Sequence, residues 1–164
     1  MKLKYKIIDN FLDKEDFITL KNSILNKEFS WYFQNLINAN HGKNDSTCYF
    51  THLIYEHTPN SPIYSIIFDL FFNKLKMKSL LRIKCNCFPS TEKVRINKKH
   101  CDYTFKNNGA IFSLNTCDGF TSLADNTKID SIENRLLLFD ANKPHASSTC
   151  TNAKARFNIN FNYF

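Results

Sequence analysis

A chain of 164 residues fits one domain, since globular domains most often run to roughly 100–150 residues. Its 43% hydrophobic, 15% aromatic and 23% charged content excludes a disordered or fibrous chain, and no apolar run reaches the roughly 20 residues needed to span a bilayer. The net charge of +7 and pI near 9.1 would attract polyanions, but the charge is diffuse. Lys2, Lys4 and Lys6 alternate, Lys98 and Lys99 adjoin Lys106 only loosely, and no block of about five like charges marks a nucleic-acid tail.

From the amino end, Leu3 to Asp9 alternates like a strand. Asp13 then caps a helix expected to reach about Asn26, with Phe17, Ile18, Leu20, Ile24 and Leu25 at helical spacing. Thr47 to Glu56 alternates with two fairly apolar faces, a strand buried on both sides. A second helix is expected with Ser61 as N-cap and Pro62 as its first residue, burying Ile63, Ile66, Ile67, Leu70 and Phe71 as one stripe.

From about Ser79 the pattern changes to short strand-like runs separated by Asn, Asp, Gly and Pro. These are Leu80 to Phe88, Lys99 to Tyr103, Ala110 to Thr116, Phe120 to Leu123, Lys128 to Ile132, Arg135 to Asp140, His145 to Cys150 and Arg156 to Tyr163. Helices followed by closely spaced strands predict an α+β, mainly β chain. The expected architecture is a double-stranded β-helix (jelly roll) with the N-terminal helices packed on one sheet. Residues 1–164 form one domain in this reading, with 1–78 as helical support and 79–164 as the jelly-roll core.

The six cysteines, at 48, 85, 87, 101, 117 and 150, are expected to come without a signal peptide, because MKLKYKIIDNFL carries Lys2, Lys4 and Lys6 where an apolar run is required. They read as reduced thiols of a cytoplasmic protein. Cys85 and Cys87 lack the two-residue spacer and second pair of a zinc site, so they read as packed thiols.

On a strand, residues two apart share a face, so KHCDY presents His100 and Asp102 together while Cys101 turns away. A downstream histidine, His145, follows the strand-like LLLFD and the turn at Pro144, and Arg156 lies eleven residues later inside the closing strand. Two histidines and a carboxylate make a facial triad whose open positions suit non-haem iron(II). A His-x-Asp tripeptide is weak by itself, and a surface histidine among lysines or a turn histidine would produce the same letters. Zinc in the same ligands would make a cupin-like hydrolase or isomerase.

The ordered combination IIDNFLDKEDF, IKCNCFPSTEK, His100-x-Asp102, AIFSLNTCDGFTSL and NRLLLFDANKPHASSTCTNAKARFNINFNYF resembles the iron(II)/2-oxoglutarate dioxygenases of the prolyl 4-hydroxylase-like type, including small stand-alone versions encoded by phages. The resemblance covers most of the chain. It implies that His100, Asp102 and His145 hold Fe(2+), that O2 takes an open position, and that Arg156 rather than Lys154 pairs with the far carboxylate of 2-oxoglutarate through its planar fork. Thr121, Asn86 and Asn158 are the further cosubstrate candidates, and ascorbate is implied as the reductant. Phe88 and Ser113 stand where some members have tyrosines that bond 2-oxoglutarate.

The implied activity is hydroxylation of a peptidyl proline, with a protein or small-molecule substrate as partner and a cytoplasmic location, the host cytoplasm for a phage protein. A nucleic-acid demethylase of the AlkB type ranks lower, because its second arginine would stand at Asn162. A non-catalytic jelly-roll binding module is the reading from a different class. Residues 37–46 and 89–98, with Lys93, Arg95 and Lys98, are expected to border the substrate entrance.

Overall fold

The computed structural model describes residues 5–34 and 48–164. In chain order the described elements are β1 (Lys6–Ile8), α1 (Lys14–Ile24), β2 (Tyr32–Gln34), β3 (Tyr49–Glu56), β4 (Thr58–Pro59), α2 (Tyr64–Phe71), β5 (Leu80–Pro89), β6 (Asn108–Ser113), β7 (Phe120–Ser122), β8 (Lys128–Asp130), β9 (Leu136–Asp140), β10 (Ala146–Ser147) and β11 (Ala155–Tyr163). A large antiparallel sheet runs β1-β9-β6-β11-β5-β3-β2, with β4 beside β3. A small sheet runs β10-β7-β8. The two face each other with α1 and α2 on the back of the large one, which is the expected double-stranded β-helix. Strands β1 to β4 precede residue 79 and yet belong to the large sheet, so the first part of the chain contributes strands as well as helices.

Alternation explains the layering. In β11, Ile159, Phe161 and Tyr163 point to the back and join the main apolar core, while Arg156, Asn158, Asn160 and Asn162 point between the sheets. Helix α1 buries Phe17, Leu20 and Ile24 against that back, and α2 buries Ile67 and Phe71. Phe71 is the hub, its ring lying 4.6 Å from Phe161, 5.0 Å from Phe112 and 5.6 Å from Phe11. Burying a side chain of that size contributes roughly 2–3 kcal/mol. A second cluster of Ile111, Leu123, Ile129, Leu137, Phe139 and Ala141 closes one end of the space between the sheets.

Several local expectations change. Ile18 and Ile66, expected in buried stripes, are 44% and 39% exposed, because each sheet-facing stripe is narrower than the apolar pattern. Helix α2 begins at Tyr64, not Pro62. The Ser61 hydroxyl is 2.8 Å from His52 Nε2, and this leaves the helix without a side-chain cap.

The strand expected at Lys99 to Tyr103 is not formed. Residues 95–102 instead run irregularly along 141–149, joined by isolated bridges at Ile96 to Ser148 and His100 to His145. The two bridges differ in register by one residue, as happens at a bulge. Most of the expected strands after this point are shorter than the sequence pattern, β10 shrinking to Ala146–Ser147, while β11 begins one residue earlier, at Ala155. The loop expected at 37–46 and the outermost residues of the first strand lie outside the described residues.

The turn before β9 hinges on Asn134, which is buried at φ 58°. Its amide oxygen accepts from Leu12 N at 2.9 Å and its amide nitrogen donates to Leu12 O at 2.8 Å, tying the entry to α1 to the sheet. Asn134→Ala removes both bonds and places a Cβ-bearing residue without a polar tip in the left-handed region, so it is expected to lower unfolding free energy by about 2–3 kcal/mol. Asn134→Gly relieves only the backbone part, so urea denaturation is expected to order the variants wild type, Gly, Ala.

Candidate metal centre

His100, Asp102 and His145 converge in the pocket between the sheets, each offering one ligand atom, all within 4.8 Å of one another. The histidines are locked by paired backbone bonds, His100 N to His145 O and His145 N to His100 O, both 2.9 Å. Asp102 N donates to Ala141 O at 3.1 Å. Irregular backbone therefore does the aiming that a regular strand was expected to do, and Cys101 still turns outward to solvent.

The imidazoles present the same nitrogen. His145 Nδ1 lies 3.0 Å from Lys143 O, so it carries the proton and leaves Nε2 as a donor atom facing Asp102 Oδ2 at 3.7 Å. His100 Nε2 faces Asp102 Oδ1, also at 3.7 Å. Both distances exceed hydrogen-bonding range, so the three groups face one another across a gap rather than satisfying one another. Phe139 meets the His145 ring edge-on at 4.8 Å and fixes its plane.

Asp102 is 4% exposed at its side chain and is clamped from the large sheet. Arg82 donates to Oδ1 at 3.1 Å, Asn162 donates to Oδ2 at 2.9 Å, and Asn160 adds a longer bond of 3.4 Å to Oδ2. Burial pushes this carboxyl upward, but His145, Arg82, the Asn162 amide and His100 more than offset it, holding Asp102 below the usual carboxylate range. Burial and the neighbouring His145 push His100 down, against the pull of Asp102 and the Lys98 carbonyl, which keeps its imidazole neutral and available to a cation. Two imidazole nitrogens and an oriented carboxylate held below the usual carboxylate range fit a first-row divalent metal with open positions.

Arg156 lies in the same pocket and is 1% exposed. Nη2 donates to Thr121 Oγ1 at 2.8 Å, while Nε and Nη1 are buried without a partner. Burial pushes the guanidinium down to about 10. Its stem runs across Gly119, where a Cβ would stand 2.8 Å from Arg156 Cδ and 2.8 Å from Thr149 O, and its head lies 5.6 Å from the Phe88 ring. Two idle donors on a buried planar cation form a socket for a carboxylate. The rival basic residue Lys154 is exposed.

Asn86 and Asn158 both line the pocket, Asn86 Nδ2 donating to Asn158 Oδ1 at 3.0 Å. The sequence reading missed Arg82, Lys84 and Tyr49. Alternation back from Asn86 reaches Lys84 and Arg82 directly, so β5 carried that signal. Tyr49 was hidden by a strand apolar on both faces, and it stacks on Phe88 at 5.5 Å and 7°. Among the described residues none of 89–98 lines the pocket; that segment runs along 147–154, where Asn97 bonds the pocket residue Ser147.

No family model and no curated protein matches the sequence. Solved structures do. A 2OG-Fe(II) oxygenase family oxidoreductase from Burkholderia pseudomallei superposes with TM-score 0.72 at 10% identity, covering 97% of this chain and 84% of its own. A prolyl hydroxylase from Trichoplax adhaerens, in complex with a hypoxia inducible factor peptide fragment, gives 0.63 at 17% identity over 98% and 83%. The viral collagen prolyl hydroxylase of Paramecium Bursaria Chlorella virus-1, in its 2OG complex, gives 0.62 at 14% identity over 96% and 94%. The chain has the fold these oxygenases share.

Two measurements probe the site without turnover. Asn162→Ala keeps all three donor groups but frees Asp102 Oδ2, and manganese(II) titration is expected to show affinity reduced roughly 10- to 100-fold. Arg156→Met removes a buried charge with idle donors, so thermal unfolding of the ligand-free protein is expected to show stability raised by about 1–2 kcal/mol. A purely structural arginine would give a loss instead.

Proposed function

We infer that this chain is an iron(II)- and 2-oxoglutarate-dependent oxygenase, and that its substrate is a proline within a peptide. The observation that carries the reading is the presence, in one pocket, of the His100, Asp102 and His145 group and a buried Arg156 with two unpartnered donors. A metal hydrolase needs the first feature and has no use for the second.

In this reading His100, Asp102 and His145 hold the iron, and Arg156 grips the far carboxylate of 2-oxoglutarate through Nε and Nη1 while Thr121 keeps its fork in plane. Iron and 2-oxoglutarate bound there would supply the oxidising chemistry, one atom of O2 going into succinate with release of carbon dioxide and the other into a substrate C–H bond. The chain's own part is positional. Phe88 covers the guanidinium, the Asn86–Asn158 pair gives the cosubstrate a polar wall, and Tyr49 brings a phenol to the pocket from β3. That phenol stands beside Phe88, so it supplies a hydroxyl-bearing ring where Phe88 and Ser113 lack one.

The peptide substrate is supported by two fold neighbours that are prolyl hydroxylases, one of them bound to a peptide fragment. An open groove also adjoins the metal pocket along β3, sharing Tyr49 and Lys84 with it. The nucleic-acid alternative loses its anchor, because Asn162 is fully buried and committed to Asp102.

The test is succinate formation from 2-oxoglutarate by the purified chain with iron(II) and ascorbate. Wild type is expected to turn over slowly without added substrate. His145→Ala is expected to abolish this, and Arg156→Ala to raise the 2-oxoglutarate requirement on the order of a hundredfold, the worth of two charge-assisted bonds. Failure of 2-oxoglutarate to bind even the manganese-loaded protein would leave a non-catalytic binding module.

A further inference from the structure

The inner face of β5 carries two cations, Arg82 and Lys84, two residues apart on the same side of the strand. Together with Arg156 from β11 they put three positive side chains along the metal pocket and the groove beside it. Two have defined tasks: Arg82 bonds Asp102 Oδ1 and Asn162 Oδ1, both at 3.1 Å, and Arg156 has its socket. Lys84 has none. Among the described residues its ammonium makes no hydrogen bond and no ion pair. Its ammonium lies over the Tyr49 ring, 6.0 Å from the centroid.

Position makes this charge informative. Lys84 is partly buried, sits in register with Asn160 on β11 and Leu53 on β3, and lines both the metal pocket and the groove beside it. It therefore stands on the threshold between the two. Two carboxylates lie nearby. Asp102 is already committed to Arg82, Asn162 and the metal position, and Glu56, opposite Arg82 on β3, makes no ion pair with Lys84. An ammonium shielded from water with no counter-ion is unfavourable unless a ligand supplies the anion.

We propose that the groove takes an acidic peptide, whose carboxylate side chain, immediately beside the hydroxylated residue, pairs with Lys84. The inference rests on the oxygenase reading only for which peptide residue reaches the metal. A prolyl ring by itself offers nothing to an ammonium, so the charge selects the flanking residue. The groove's polar lining of Gln34, Thr51 and Asn60 suits an extended backbone, and the exposed Tyr32 also lines it.

The test measures binding, not turnover. The full chain, loaded with manganese(II) and 2-oxoglutarate, is titrated with fluorescent peptides identical except for one residue flanking proline on either side: Glu, Gln or Lys. The Glu peptide is expected to bind wild type roughly tenfold more tightly than the Gln peptide, and the Lys peptide more weakly than both. Lys84→Gln is expected to erase the Glu-to-Gln ratio and Lys84→Arg to restore it.

Equal binding of the Glu and Gln peptides to wild type would overturn the proposal, as would a ratio that survives in Lys84→Gln. A Lys84→Gln variant that loses 2-oxoglutarate affinity while keeping the ratio assigns Lys84 to the cosubstrate and also overturns it. So does binding of free glutamate with no binding of any peptide. Repeating the titration without 2-oxoglutarate separates the two readings: a Lys84-dependent preference in a protein that never binds 2-oxoglutarate upholds the acidic-peptide site and defeats the oxygenase.

Discussion

Everything at the candidate site depends on the register of β11 against β5. Arg156 stands opposite Phe88, Asn158 opposite Asn86, Asn160 opposite Lys84 and Asn162 opposite Arg82. Because strand side chains alternate, a slip of one residue would send all of these into the apolar back of the sheet and bring Ile159 and Phe161 into the pocket. The slip is blocked by the core itself. Phe161 packs on Phe71 and Phe112 packs on both Phe71 and Phe17, so the helices hold the polar row in register by holding the apolar row behind it.

The polar row is costly in isolation and coherent as a set. Arg82 neutralises Asp102 and Asn162 helps to orient it, and the carboxylate in turn faces both imidazoles without bonding either. Arg156 is the exception, a buried cation with a single hydrogen bond to Thr121 and an ordinary value pushed down to about 10 by burial. A protein selected for stability alone would put a methionine or leucine there. Retention of an unpaired guanidinium against Gly119, whose missing Cβ makes room for its stem, is the sort of local conflict that marks a binding site.

Gly109 solves a related problem on the same inner face. A Cβ there would stand 2.8 Å from Phe139 Cζ and 2.9 Å from Ala141 Cβ, so the bare backbone lets Phe139 cross β6 and press on the His145 ring. Ala141 O also anchors Asp102 N. The segment from Phe139 to His145 thus couples core packing to the geometry of all three donor residues.

The sequence by itself determined the order of elements, the helix-backed β architecture and the residues that meet. His100, Asp102, His145 and Arg156 were legible because ligand chemistry is carried by residue type, and because alternation put Arg156 with Asn158 inside the closing strand, whose edge left Lys154 outside. Three-dimensional pairing decided the rest. Whether 99–103 is a strand depended on its partner, and the one-residue mismatch with 141–149 made it irregular. Whether Ser61 caps α2 depended on His52, a competitor for its hydroxyl. The clamp on Asp102 joins residues 20 and 60 positions away, and Tyr49 reaches Phe88 only because β3 pairs with β5. Alternation along a strand is a local property, readable from spacing, but which strands lie side by side is set by burial of the whole chain, and the clamp on Asp102 is made of such neighbours.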